Sequence, residues 1–177
     1  MAIVYFVRHA QPEFSWADDK TRPLTNEGIA DSEKVCEALK DVKLTYAISS
    51  PYKRSIDTIK YCAESHRLSI DADERFRERE KGFSGNNFGM FQKRWEDFDY
   101  HEEGGESLRS VQERNISALF ELLDSHPNDI IILGTHGTAL STVLNYFDHS
   151  YNCDSFLRMI DFMPYVIRLD FDGRECV

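Results

Sequence analysis

Apolar and polar positions in this chain fall into two rhythms that take turns. Ile3-Val4-Tyr5-Phe6-Val7 is rich in β-branched and aromatic residues and reads as a buried first strand. Tyr46-Ala47-Ile48-Ser49 predicts a short second strand, and Leu68 to Ile70 another. Ile130-Ile131-Ile132-Leu133 is continuously apolar, the mark of a strand covered on both faces. Tyr165 to Phe171 alternates and predicts a late strand near an edge, with Asp172-Gly173 as the turn after it. Helical spacing fills the intervals. Thr25 is placed to cap a helix to about Lys40, with Ile29, Val35, Cys36 and Leu39 on one face. Ser50-Pro51 supplies a cap and a first-position proline for a helix to about Glu64, with Ile56, Ile59, Cys62 and Ala63 inward. A longer helix runs from about Ser107 to Ser125 on a stripe of Leu108, Val111, Leu119, Leu122 and Leu123, and another ends near Phe147. Alternating strands and helices with short connections imply an α/β fold. Its central sheet is mostly parallel, with helices on both faces, a three-layer α/β/α sandwich.

Residues 72–105 break the rhythm. Charge comes first, from Asp73 to Lys81, then five glycines with Phe83, Phe88, Phe91, Trp95, Phe98 and Tyr100 among them. This segment is expected to be an inserted loop and helical region on the substrate side of a single domain spanning 1–177. Its aromatic residues suit either a small core under the loop or an apolar wall for a ligand.

Composition narrows the function. A net charge of −10 disfavours a nucleic-acid partner, which needs clustered Lys and Arg. No apolar stretch approaches the roughly 20 residues of a membrane helix, and no basic-then-apolar leader is visible. Cys36, Cys62, Cys153 and Cys176 are widely spaced, form no metal-like pair, and read as reduced thiols. A cytoplasmic protein with no membrane partner and no metal or other cofactor is expected. One alternating late strand does not set an oligomeric state.

In parallel sheets the carboxyl ends of several strands converge on one rim, where ligands bind. Three ends here carry notable residues. The first ends in Arg8-His9, the second leads into the helix carrying Arg54, and the fourth is followed by His136. Arginine offers a permanent charge and a planar donor fork suited to phosphate, and histidine changes charge near neutral pH. Arg54 sits in the first turn of its helix, where a cation opposes the macrodipole unless an anion is near. In an acidic protein such a site is a local basic pocket that selects small phosphorylated ligands over large polyanions.

The same residues, in order, carry a resemblance. Val7-Arg8-His9-Ala10, Pro23-Leu24-Thr25-Asn26-Glu27-Gly28, Ser49-Ser50-Pro51-Tyr52-Lys53-Arg54-Ser55 with Thr58, Phe76-Arg77-Glu78 with Gly82, Gly104-Gly105-Glu106-Ser107 with Val111 and Arg114, and Thr135-His136-Gly137 resemble successive motifs of the histidine phosphatase superfamily, also called phosphoglycerate mutase-like. The resemblance covers nearly the whole chain. It implies the phosphoglycerate mutase-like fold and a metal-independent phosphomonoesterase acting on small-molecule phosphate esters. It implies His9 as the nucleophile that becomes a phosphohistidine. Arg8, Arg54 and His136 would clamp the phosphoryl oxygens, and Glu78 would be the proton donor and later the base. Glu80, two residues on, is the rival acid; the spacing of Glu78 from Phe76 and Gly82 fits the family pattern better. Two positions depart from that pattern. Ala10 stands where the family has glycine, and is strained if that position needs positive φ. Ser15 is the nearest equivalent of an asparagine that helps hold phosphate. Phosphoglycerate mutase-type transfer is the alternative, with 79–104 as a partial lid; an inactive phospho-ligand binding module is a further one.

Overall fold

The computed structural model describes residues 1–177, apart from the side chain of Phe88, which lies outside the described residues. Strand β1 (Ala2–Arg8) pairs in parallel with β4 (Ile130–Thr135), setting Phe6 opposite Leu133 and Arg8 opposite Thr135. On its other side β1 pairs antiparallel with β5 (Tyr165–Asp172). Strands β2 (Tyr46–Ser49) and β3 (Ile70–Ala72) extend the parallel half, and β6 (Glu175–Cys176) caps the antiparallel half. The order is β3-β2-β4-β1-β5-β6, so the two most apolar strands lie at the centre.

Alternation along these strands feeds two cores. Val4, Phe6, Ile48, Ile131 and Leu133 point to one face, under Ile116, Leu119 and Leu123 of α4 (Leu108–Ser125) and Leu140 and Val143 of α5 (Gly137–Phe147). Val7, Ala47 and Ile132 point to the other, under Val35 of α1 (Asn26–Ala38) and Ile59, Cys62 and Ala63 of α2 (Lys53–Ser65). The α/β sandwich with a mostly parallel sheet is thus the observed architecture.

Local differences have physical causes. Thr25 caps α1 as expected, accepting the Gly28 N–H at 3.0 Å. Ile29 is nevertheless exposed, and Gly28 and Ser32 take the inward positions. A Cβ at Gly28 would stand 2.3 Å from the Gln11 carbonyl oxygen, so α1 seats directly on backbone. Ser50 and Pro51 do not open α2. Ser50 Oγ accepts the Tyr52 N–H, and the helix begins at Lys53, two residues late. The third strand is Ile70–Ala72 rather than 68–70, its register fixed by pairing Ala47 with Ile70. Within 72–105 the chain forms a 3-10 turn, Glu74–Phe76, and helix α3 (Phe91–Glu96). Helix α6 (Cys153–Ile160) was not expected; Asn152 and Ser155 close it with a reciprocal capping box. All four cysteines are free thiols, and no helix among the described residues is long and apolar enough to cross a membrane.

Candidate active site

The parallel register brings the carboxyl ends of β1, β2 and β4 to one rim. The His9 N–H donates to the Thr135 carbonyl at 3.1 Å and the Ser50 N–H to the Gly134 carbonyl at 3.0 Å, stitching the three ends together. The rim opens on a cavity of about 270 Å³ lined by Arg8, His9, Arg54 and Glu78, with Gly137 and Thr138 from the start of α5. His136 lies beneath, fully buried, its ring centroid 5.3 Å from that of His9. All five residues singled out in the sequence therefore meet at one place.

Hydrogen bonds fix the chemistry of each ring. His9 Nδ1 is 2.8 Å from the Ala10 carbonyl, which only accepts, so Nδ1 carries the proton and Nε2 keeps its lone pair. Ala10 is held in turn, its N–H donating to Thr58 Oγ1 at 2.9 Å while that hydroxyl donates to the Arg54 carbonyl at 2.7 Å. Ala10 is fully buried, and its φ is not in the left-handed region, so the methyl is accommodated without backbone strain. His136 Nε2 lies 2.8 Å from Ser50 Oγ. With the serine donating, the proton of the neutral His136 ring is on Nδ1, which makes that atom a donor.

That donor matters. Three buried side-chain polar atoms lack a hydrogen-bond partner among the described residues, and two of them are Arg8 Nε and His136 Nδ1. Buried polar groups are normally satisfied; two orphaned donors beside one cavity ask for an anion. Arg8 is otherwise immobilised. Its Nη1 donates to the carbonyls of Met159 (3.3 Å), Ile160 (2.5 Å) and Phe162 (3.0 Å), at and just beyond the end of α6. The guanidinium lies against Gly137, where a Cβ would come within 3.0 Å of Arg8 Nε. Arg54 Nη1 donates to the Asp19 carbonyl at 2.6 Å, and the Asp19 carboxylate bridges Arg54 (3.2 Å) and Arg22 (3.3 Å).

Burial, then the positive charge of Arg54, holds His9 well below its ordinary titration range; its bond to Ala10 opposes this only in part. His136 is lowered well below for the same first two reasons. Both rings are neutral at pH 7. Burial also lowers Arg8 and Arg54, with Glu78 among the charges that counter it at each.

Glu78 faces this cluster. Its Oε1 accepts the Arg79 N–H (2.8 Å) and the Ala139 N–H (3.0 Å), and its Oε2 accepts the Thr138 N–H (3.0 Å). The donors at Thr138 and Ala139 belong to the first turn of α5, a helix terminus with free N–H groups. Arg114 of α4 clamps the segment behind it. It donates to the carbonyls of Arg75 (2.7 Å), Arg77 (2.8 Å) and Glu78 (3.0 Å), and pairs with Glu106 through two nitrogens at 2.9 Å each. Glu80 is exposed and does not line the cavity.

Ser15 is exposed, donates to Glu13 at 2.9 Å, and does not reach the cavity; Asp19 and Arg22 of the same loop do. The aromatic residues of the insertion divide. Phe91 and Trp95 line the cavity with Phe156 of α6. Phe98 packs behind on Trp95 at 5.5 Å between ring centroids, Phe83 is 83% exposed, and Phe88 lies outside the described residues. Arg22 and Asp19 were missed because only the folded loop brings them to the rim. The signal available was an arginine directly before the Pro23-Leu24-Thr25 cap.

Comparison with known proteins gives a consistent picture. The model of the histidine phosphatase superfamily (branch 1) matches residues 4–176. The probable phosphoglycerate mutase GpmB of Proteus mirabilis is 28% identical over 159 residues, covering 82% of this chain and 74% of that protein. The uncharacterized phosphatase PhoE of Bacillus subtilis is 27% identical over 149 residues, covering 81% and 76%. Among solved structures, a phosphoserine phosphatase from Entamoeba histolytica, in complex with phosphoserine, superposes with a TM-score of 0.82 over 100% of this chain and 94% of that one, at 18% identity.

Proposed function

The chain belongs to the histidine phosphatase superfamily, and on that premise we propose that it hydrolyses small-molecule phosphate monoesters through a phosphohistidine on His9. The observation that carries this reading is the His9 ring. Its Nδ1 proton is committed to the Ala10 carbonyl, and its Nε2 lone pair borders a cavity shared with Arg8, Arg54 and Glu78. In the first step His9 Nε2 attacks phosphorus, the ester P–O bond breaks, and the leaving oxygen takes a proton from Glu78. Oε2 of Glu78 accepts a single backbone N–H, which leaves a lone pair to carry that proton. Arg8, Arg54 and His136 hold the equatorial oxygens, where positioning and charge stabilisation supply most of the rate. In the second step water attacks the phosphohistidine, Glu78 takes a proton from it, and phosphate leaves with His9 restored.

The set contains its own nucleophile, acid and cations, which supports a metal-independent reaction of acid phosphatase type on one domain spanning 1–177. Free thiols support a cytoplasmic setting, and the net charge of −10 supports a small-molecule substrate rather than nucleic acid.

The test is p-nitrophenyl phosphate hydrolysis in the presence of a chelator. Phosphate release by the native protein is expected, with an acid-labile phosphoenzyme that His9→Ala lacks; equal inactivity of both proteins across a panel of phosphate esters overturns the reading. Because relatives such as the Proteus mirabilis protein are named as probable phosphoglycerate mutases, 3-phosphoglycerate is the discriminating substrate. Free phosphate is expected; 2-phosphoglycerate without phosphate release assigns the mutase reaction instead.

A further inference from the structure

The loop between β1 and α1 brings two charged residues to the cavity wall, Asp19 and Arg22, to which the reaction assigns no task. The charge of Arg22 acts on both His9 and Arg54. The loop itself is well held. The Lys53 N–H at the start of α2 donates to the Lys20 carbonyl at 3.0 Å. Asp18 Oδ2 accepts the Thr21 N–H at 3.2 Å and the Thr21 hydroxyl at 2.6 Å.

Backbone carbonyls, not carboxylates, place the two arginines. Arg54 Nη1 donates to the Asp19 carbonyl at 2.6 Å, and Arg22 donates to the Trp16 carbonyl through Nε at 3.4 Å and Nη2 at 3.3 Å. The Asp19 carboxylate meets both guanidinium groups through a single oxygen, Oδ1, at 3.2 Å from Arg54 and 3.3 Å from Arg22. Both separations exceed the roughly 2.7–2.9 Å of a charge-assisted hydrogen bond. The carboxylate therefore neutralises the pair without gripping it. It is the one carboxylate in ion-pair contact with either arginine among the described residues; Glu78 counters Arg54 only at longer range.

A shared oxygen between two guanidinium groups, at the wall of the cavity that holds His9, occupies donors suited to a phosphoryl oxygen. We propose that Asp19 competes with the phosphoryl group for Arg22 and Arg54, and that Arg22 is a phosphate-binding residue engaged by the exchange. A phosphate dianion offers three oxygens against the one that Asp19 uses, so it takes over the donors. The Asp19 side chain is 30% exposed and has solvent to turn into. Its charge then stays beside the bound dianion and repels it, which weakens the hold on substrate and product alike and favours release of phosphate. The inference rests on the phosphatase reading for the identity of the ligand, but it is tested by binding alone.

The experiment is calorimetric titration with inorganic phosphate at pH 8, where the anion is a dianion, in about 0.1 M salt, which screens distant surface charges. Asp19→Asn should bind phosphate about tenfold more tightly than the native protein, a modest share of the Coulomb energy of two charges a few ångströms apart. Arg22→Gln should bind it about tenfold more weakly, and Arg22→Lys, which keeps the charge but loses the fork on Trp16, should recover part of the loss. Asp18→Asn removes a charge from the same loop away from the cavity and should stay within about twofold of the native affinity. If Asp19→Asn disturbs the loop, Asp19→Ala carries the test, because the backbone carbonyl that holds Arg54 is present in both. Unchanged or weaker binding by both Asp19 variants overturns the competition. Native affinity in Arg22→Gln overturns the role of Arg22. A gain in Asp18→Asn equal to that in Asp19→Asn overturns the assignment to Asp19 in favour of a diffuse field. p-Nitrophenyl phosphate turnover by the native protein with no gain in the Asp19 variants removes this inference and leaves the phosphatase reading standing; the full set of binding changes without any native turnover overturns that reading alone.

Discussion

Ala10 concentrates the residue-scale argument. Its carbonyl fixes the tautomer of His9 and its N–H is tied to Thr58, so the backbone of this residue performs a task that no side chain there need share. With φ outside the left-handed region, glycine offers no conformational relief. Ala10→Gly is expected to leave kcat within about twofold and to lower stability by about 0.5–1 kcal/mol through unfolded-chain entropy; urea denaturation beside a rate measurement checks both. Glu78 and Glu80 make a sharper pair. Glu78→Gln should slow hydrolysis of alkyl phosphates by about 10²–10⁴-fold; with p-nitrophenyl phosphate, whose leaving group needs no proton, the first release of nitrophenolate should stay near the native rate while steady turnover falls with the water step. Glu80→Gln should stay near the native rate on both, since its side chain is exposed and off the cavity. Loss of alkyl phosphate turnover in Glu80→Gln instead would reverse the assignment.

At the scale of elements, the strongly periodic segments were readable and the short ones were not. β1, β4 and α4 each present enough apolar positions for their period to emerge, and α4 begins where Ser107 caps it. α6 spans eight residues and buries only Phe156 and Met159, too few to announce a period. Its purpose is also non-local: the carbonyls at its end hold Arg8, more than 150 residues upstream. The late start of α2 has a similar origin, because Ser50 is engaged with Tyr52 and His136 rather than with a first helical turn. Arg8, His9, Arg54 and His136 were legible because each stands next to a strand end or a helix start, whereas Glu78, in a charged run just past the 3-10 turn, was marked only by the family resemblance. Arg22 and Asp19 were not, because nothing local marks a loop residue that folds back onto Arg54. The start of α5 gives a testable contact between element and residue. Gly137→Ala would press a methyl onto Arg8. A displacement on the order of 1 Å costs about 10²-fold in rate, so a large loss in kcat/KM with little change in melting temperature is expected; unchanged kcat/KM would show that Arg8 can give way.

For the whole molecule, burying two neutral histidines at the junction of three strands couples stability to pH. Both fold with lowered proton affinity, so below about pH 6.5, where free histidine titrates, the unfolded chain binds more protons than the native one. Their contribution is complete above that pH and is lost as pH falls toward the native values. The slope is at most about 1.4 kcal/mol per pH unit for each histidine. Urea unfolding between pH 7.5 and 5.5 should show this decline. Saturating inorganic phosphate should reduce it, because a bound dianion stabilises the imidazolium forms. A flat profile would mean that one or both rings accept a proton in the native state.

Arg114 reaches across the molecule in a different sense. It grips the carbonyls of Arg75, Arg77 and Glu78 itself but touches neither His9 nor the arginines at the rim. The carboxylate of Glu78 rests on the first turn of α5, but the backbone that carries it hangs on a strap hooked to α4. Unhooking the strap, as in Arg114→Met, should disable the water-activating half and leave the phosphate-accepting half standing. Offered an aryl phosphate, such a protein should charge His9 and discharge it slowly, with the phosphorus NMR signal of phosphohistidine outlasting that of the native enzyme. A phosphatase built this way lies one side chain from being a phosphate carrier.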